Sequence, residues 1–285
     1  MNPDKDRPTV AFIPPSCCGA GYFSRVRRLL GARIDVLPVE LPGHGRRYEA
    51  ACLTDAHSAV EDVAAQLDRP VDAIYGESLG AYIGLLSVAV LDGDRQPLLI
   101  VASNSPPSVH PDITAEDGDS LQSAVAALRA MGGEIPESVL TEPALAQRAY
   151  PLIRDDLRLS RAFVEATRTI KVATDIVVLG GTDDTALIEL DAWSAHTTGS
   201  CEVTRLPGGH LLSAANPAGV SAAVLRTLAP RRASERTQDG VGRGTSGRDR
   251  QPPDVALPAA DQRPTGGRHG TGQGGGPVPA ASRGR

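Results

Sequence analysis

The chain is 285 residues long, 41% hydrophobic and 22% charged, with a formal net charge of −5. That length supplies one sizeable core and leaves little for a second full domain. No apolar run reaches the roughly 18 residues that a membrane-spanning helix needs.

Only 3% of residues are aromatic, so the core must come from Ala, Val, Leu and Ile. The segment Met1–Pro8 is polar and charged and lacks the apolar stretch of a secretion signal. The cysteines are Cys17, Cys18, Cys52 and Cys201, with neither CxxC nor Cys/His metal spacing. They fit reduced thiols in a cytoplasmic protein better than a disulfide framework. Charge is unevenly placed. Residues 231–285 hold ten Arg against five acids, whereas residues 1–230 hold 19 basic and 29 acidic residues. An acidic body argues against nucleic acid as the main partner.

Thr9–Ile13 reads as a strand, Tyr22–Leu30 as a helix and Ile34–Val39 as a second strand with Pro38 near its end. His57–Leu67 has helical apolar spacing. Asp72–Tyr75 is a short strand, followed at Leu79–Leu91 by a nearly unbroken apolar helix of the kind that packs on a sheet. Pro97–Ser103, Asp175–Leu179 and Cys201–Leu206 are further strands, and Ala214–Leu228 is a closing helix. Strands alternating with helices of this length imply a mostly parallel sheet with helices on both faces. Residues 111–170 interrupt the alternation. Leu121–Met131 and Pro143–Arg154 in that stretch have helical periodicity, which predicts a helical lid above the sheet edge. One domain over residues 1–230 is expected, followed by a Gly/Pro/Arg-rich tail over 231–285 too poor in apolar residues to order itself.

Gly76-Glu77-Ser78-Leu79-Gly80 matches G-x-S-x-G between an apolar strand and an apolar helix. That is the context of a nucleophile elbow, the strained turn that lifts a serine hydroxyl to the top of an α/β-hydrolase sheet. A serine hydroxyl needs a base. In this fold the base follows the last strand, with the acid before it in the chain. Of the six histidines, 44, 57, 110, 196, 210 and 269, only His210 has that position. It lies in a Gly-Gly-His loop directly after Cys201–Leu206. His57 and His196 are expected on exposed helical surfaces. The acid should follow Asp175–Leu179, where both Asp183 and Asp184 occur; either could orient the imidazole, and the other is expected to form a turn. The oxyanion hole requires backbone N–H groups. Leu79 supplies one, and Ser16 or Cys17 in the loop after the first strand supplies the other, because Pro14 and Pro15 have none to give. Small residues are what this tight loop needs, so Cys17 and Cys18 are not read as a nucleophile or a metal site.

Residues 8–229 resemble the external (type II) thioesterases that accompany nonribosomal peptide and polyketide synthases. The resemblance rests on Ile13-Pro14-Pro15-Ser16-Cys17-Cys18-Gly19, on Leu41-Pro42-Gly43-His44-Gly45-Arg46-Arg47, and on the lid segments Met131–Pro136 and Pro151–Asp156. Gly180–Asp184, Trp193 with His196–Thr198, and Gly208–His210 complete it. It implies Ser78, Asp184 and His210 as the triad and an acyl or peptidyl carrier protein as partner. It also implies hydrolysis of acyl thioesters from the carrier's phosphopantetheine arm, without metal or redox cofactor. A monomer is expected, with no nucleic-acid or membrane partner. The alternatives are an acyltransferase or small-ester esterase on the same scaffold and, more remotely, a non-catalytic binding protein. Two departures stand out. Glu77 and Leu79 replace the family's usual His and Met around the nucleophile, and Cys17 and Cys18 replace two glycines. A second carboxylate beside the site, at position 77, could raise the His210 pKa or alter substrate choice, and the residue pattern leaves its effect open.

Overall fold

A computed structural model describes residues 7–91 and 96–238. The expected tail falls almost wholly outside the described residues. Six parallel strands form the sheet: β1 Thr9–Ile13, β2 Asp35–Pro38, β3 Ala73–Glu77, β4 Leu98–Ala102, β5 Ile176–Gly181 and β6 Cys201–Leu206. Each lies where the sequence predicts a strand. The helices are α1 Ser24–Leu30, α2 Ala56–Gln66, α3 Leu79–Val90, α4 Leu121–Ala130, α5 Ser138–Thr141, α6 Pro143–Thr167, α7 Leu212–Ala215 and α8 Pro217–Gln238.

The strand order is β2-β1-β3-β4-β5-β6. Pro38 donates no N–H, and the chain accommodates it on the edge strand β2, opposite Phe12. From β1 the chain winds outward to β2, then returns across β1 to β3 and winds the other way. That reversal leaves a crevice outside the carboxyl ends of β1 and β3, where ligands of open α/β sheets bind.

Strand periodicity fills both faces. Val10 and Phe12 of β1, with Tyr75 of β3, join the core that includes Val26 and Leu30 of α1 and Val220 and Val224 of α8. Ala11 and Ile13, with Ile74, join the core that includes Val60 and Val63 of α2 and Ile83 and Leu85 of α3. Buried on both sides, these strands read as continuous apolar runs.

Three expectations about helices change. The expected helix Tyr22–Leu30 opens as a 3-10 turn, Ala20–Phe23, before α1. The closing helix is displaced, with α7 split off ahead of it, and the expected domain boundary at residue 230 falls inside α8. The second lid helix continues far beyond Arg154, passing through Pro151 to Thr167. Its buried stripe explains the continuation: Ile153, Asp156, Leu157, Ser160, Phe163, Val164 and Thr167 recur at three- and four-residue spacing and pack against α3. The charged run Arg154-Asp155-Asp156 hides that periodicity in the sequence.

The elbow between β3 and α3 permits no side chain at its glycines. A Cβ on Gly80 would lie 2.3 Å from the Ile13 carbonyl oxygen, and one on Gly76 would lie 2.0 Å from the Gly80 oxygen. Backbone cannot yield as a side chain does. Gly80→Ala should therefore destabilise the protein by at least about 1–3 kcal/mol, the usual cost of overpacking. Gly21→Ala, whose Cβ meets nothing within 4 Å, should stay within about 0.5 kcal/mol. Urea unfolding of the two variants checks the contrast, and equal stability would contradict it.

Candidate active site

Ser78 sits between the end of β3 and the start of α3 with φ 54°, a left-handed conformation unfavourable for serine. The surroundings hold it there. Its N–H donates to the Ala102 carbonyl at 2.9 Å, and its own carbonyl accepts from Asn104 Nδ2 at 2.8 Å. Asn104 is fixed in turn by Trp193, whose Nε1 donates to the Asn104 carbonyl at 3.0 Å from full burial.

The loop after β6 returns His210 over the sheet edge. His210 Nε2 lies 3.0 Å from Ser78 Oγ, and Nδ1 lies 2.8 Å from Asp184 Oδ2. A carboxylate can only accept, so Nδ1 carries the proton and Nε2 is free to accept from the serine hydroxyl. Asp184 is buried and its Oδ1 also accepts the Ala186 N–H at 3.1 Å. Asp183 is exposed, and its carboxylate accepts from the neighbouring Thr182 hydroxyl at 3.1 Å. Of the two aspartates left open by the residue pattern, the chain thus brings Asp184 to the imidazole. The lid closes over this group: a Cβ on Gly132, just after α4, would come within 2.4 Å of His210 Nδ1.

The two candidate amides of the oxyanion loop differ. The Cys17 N–H donates to Asp156 Oδ2 at 2.5 Å, so it is already committed. The Ser16 N–H donates to no such partner among the described residues. Leu79 opens α3, and its N–H has no intrahelical acceptor. Ser16 and Leu79 therefore remain available as donors. The Cys17 thiol is raised well above its ordinary pKa by burial and then by the Asp156 charge, and Cys18 is pushed up to about 11, chiefly by burial. Both stay protonated at neutral pH, as expected of residues that are not nucleophiles.

Glu77 does not line the cavity. It is fully buried behind the elbow, away from the cavity wall. Its Oε1 accepts from the Tyr22 hydroxyl at 2.6 Å and the Ser213 N–H at 3.1 Å. Its Oε2 accepts from the Tyr75 hydroxyl at 2.9 Å and from the Ser213 hydroxyl. Burial raises its pKa while those donors oppose the shift. Since Ser213 follows His210 by three residues, Glu77 ties the His210 loop to the turn at Ser78. His196 departs from expectation: it is buried, with Nδ1 2.9 Å from the Ile170 carbonyl and Nε2 3.0 Å from Ser108 Oγ. His57 is exposed, as expected.

A cavity of about 350 Å³ runs from Ser78 and His210 beneath the lid, walled by Tyr82, Ile113, Leu128, Met131, Ile135 and Leu152. Asn104, His110, Glu134 and Ser160 add polar groups to a lining that is otherwise mostly apolar. Among the described residues no group of three or more His, Cys, Asp or Glu side chains is arranged to hold a metal ion, and no helix is long and apolar enough to cross a membrane.

Residues 10–223 match the model of the alpha/beta hydrolase family. The chain belongs to the alpha/beta hydrolase family. Its relatives include the thioesterase PikA5 of Streptomyces venezuelae, 26% identical over 70% of this chain and 73% of that protein. The medium-chain S-acyl fatty acid synthase thioesterase of Homo sapiens is 27% identical over 74% of this chain and 83% of its own length. The solved structure of the type II thioesterase BorB, from the borrelidin biosynthetic cluster, superposes with a TM-score of 0.63 at 25% identity, covering 78% of this chain and 92% of that one. The expected hydrolase fold and the resemblance to type II thioesterases are both borne out. As a member of this family the chain is a serine hydrolase. Sequence reasoning missed Asp156 and the buried position of Glu77. The signal for Asp156 was a carboxylate on the apolar stripe of a helix.

The two aspartates separate cleanly in this geometry. Asp184→Asn would place an amide against Nδ1 and favour the wrong imidazole tautomer, so kcat should fall by about a thousandfold or more. Asp183→Asn should leave kcat within about threefold, because its carboxylate touches no catalytic group. Steady-state hydrolysis of one ester by both variants decides it, and the reverse ranking would move the role to Asp183.

Proposed function

We propose that the protein is a type II thioesterase that hydrolyses acyl groups from the phosphopantetheine thiol of carrier proteins in a nonribosomal peptide or polyketide pathway. The observation that carries the reading is the unbroken line from Ser78 Oγ through His210 to Asp184, at 3.0 and 2.8 Å, opening into an apolar cavity under a lid. Thioesterases among the relatives support the same chemistry, and a cytoplasmic location accords with it.

Ser78 Oγ attacks the thioester carbonyl while His210 Nε2 takes its proton. The tetrahedral oxyanion is held by the N–H groups of Leu79 and Ser16. Collapse breaks the carbon–sulfur bond, and His210 returns the proton to the departing thiolate. Water then attacks the acyl-serine with His210 again as base, and the acid leaves as Ser78 regains its proton. Asp184 keeps the imidazole oriented and stabilises its protonated form in both halves. The apolar cavity takes the acyl chain, and the phosphopantetheine arm reaches in past the lid. Transfer to an acceptor other than water would use the same acyl-enzyme.

Ser78→Ala should lower turnover by at least about a thousandfold, and a serine-directed phosphonate should label Ser78 in the wild type. Retained turnover in that variant would end the assignment. Carrier dependence is checked by comparing one acyl group on a carrier and on coenzyme A. Docking contacts offset part of the cost of positioning the arm, so kcat/KM for the carrier should be at least about tenfold higher. Equal values would mark a general thioester hydrolase, and acyl transfer with little free acid would mark an acyltransferase.

A further inference from the structure

The only group that reaches across from lid helix α6 to the candidate oxyanion loop by a charged hydrogen bond, among the described residues, is Asp156. It is 1% exposed. Its Oδ2 accepts the Cys17 N–H at 2.5 Å and faces His44 Nε2 at 3.1 Å. His44, also buried, turns Nδ1 to the Pro42 carbonyl at 2.9 Å. Both ring nitrogens of His44 therefore face acceptors, and both must carry protons for the two contacts to form. The result is a buried ion pair. Such pairs are costly to desolvate and are weak contributors to stability on their own.

What the pair does is visible at Cys17. Its φ is 62°, the left-handed region that a side chain disfavours and glycine accepts. Holding the Cys17 N–H fixes the Ser16–Cys17 peptide plane, and with it the ψ of Ser16 and the φ of Cys17. Those torsions set the loop that lies with Ser78 on the cavity wall. The geometry points to Asp156 as a positioning residue that clasps the lid to the oxyanion loop, so that the Ser16 amide is set for catalysis only while α6 is docked. This rests on the reading of Ser78 as nucleophile and of the Ser16 and Leu79 amides as oxyanion donors. It makes closure of the lid and assembly of the oxyanion hole one event, and it gives the Cys17 N–H a structural rather than a catalytic use.

The test uses the full-length chain and an acyl-N-acetylcysteamine thioester. Asp156→Leu should lower kcat about a hundredfold, the scale of losing one oxyanion donor, with KM changed by less than about threefold. Asp156→Asn should retain most of kcat, because its amide oxygen, in the place of Oδ2, can still accept both the Cys17 N–H and the His44 Nε2 proton. The diagnostic variant is Asp156→Leu combined with Cys17→Gly. Glycine reaches φ near 62° without the strain a side chain brings, so kcat should recover at least about tenfold over Asp156→Leu alone. Should Asp156→Leu fail to fold, Asp156→Ser takes its place, since its hydroxyl is too short to bridge but leaves room for water at His44. Unchanged kcat in the folded Asp156 variant, or no recovery on adding Cys17→Gly, would overturn the clasp. A rise in kcat would overturn it differently, by showing that Asp156 blocks a Cys17 donor. Phosphonate labelling of the wild type separates the two levels. If Ser78 is not labelled, the catalytic reading falls and the clasp with it; if Ser78 is labelled, the Asp156 series judges the clasp alone.

Discussion

The left-handed backbone at Ser78 is the constraint on which the rest of this molecule depends. A serine does not choose φ 54°. It is held there because Gly80 presses on the end of β1 with no room for a Cβ, and because Ala102 and Asn104 pin the backbone of Ser78 from β4 and the turn after it. Such strain costs of order 1–3 kcal/mol and persists only where the surroundings over-determine it. Here they do. The strand order places β1 and β4 on either side of β3, so both neighbours of β3 can act on the turn. Trp193, one of the few large aromatics in the chain, is spent on bracing Asn104.

That arrangement also determines what the lid can do. The inserted helices do not merely cover the cavity. Gly132 brings the turn after α4 against the imidazole, and Asp156 brings α6 against the oxyanion loop. Both contacts are close and neither tolerates much displacement. Seated this way, the inserted helices touch the Ser78–His210 group and its neighbouring loop directly as well as covering the cavity.

The fold was legible because period-2 and period-3.6 patterns are strong where burial is complete. Each strand and the nucleophile helix could be placed from apolar runs alone, and chain order singled out His210 among six histidines. What was not legible has a common cause. The choice between Asp183 and Asp184 depends on which carboxylate the turn buries, and adjacent residues in a turn carry no periodic signal. The length of α6 was obscured because its buried stripe includes Asp156, which pattern reading counts as surface. His196 was placed outside for a similar reason, since a buried histidine satisfied by the Ile170 carbonyl and the Ser108 hydroxyl looks polar in sequence. Burial of polar residues is decided by partners far along the chain, and a single sequence does not display them.

The departures from the thioesterase pattern follow the same logic. Read singly, Glu77 in place of histidine suggests altered electrostatics at Ser78, and Cys17 in place of glycine puts a side chain into a tight loop. Each instead comes with partners that absorb it. Glu77 is matched by Tyr22, Tyr75 and Ser213, whose hydroxyls and one amide satisfy both carboxylate oxygens. An anion so enclosed polarises its donors rather than the cavity. Cys17 adopts a conformation suited to glycine, at a cost of roughly 1–2 kcal/mol, and the Asp156 carboxylate supplies a charged hydrogen bond of about 1.5–3 kcal/mol at the same residue. The magnitudes are comparable, so the exchange is tolerable only while that carboxylate stays in place. A glycine loop would reach this shape without strain wherever the lid stood; on the proposal above, the cysteine loop depends on the docked lid. The substitution that looks like a change of chemistry is on this account a change in what the lid controls.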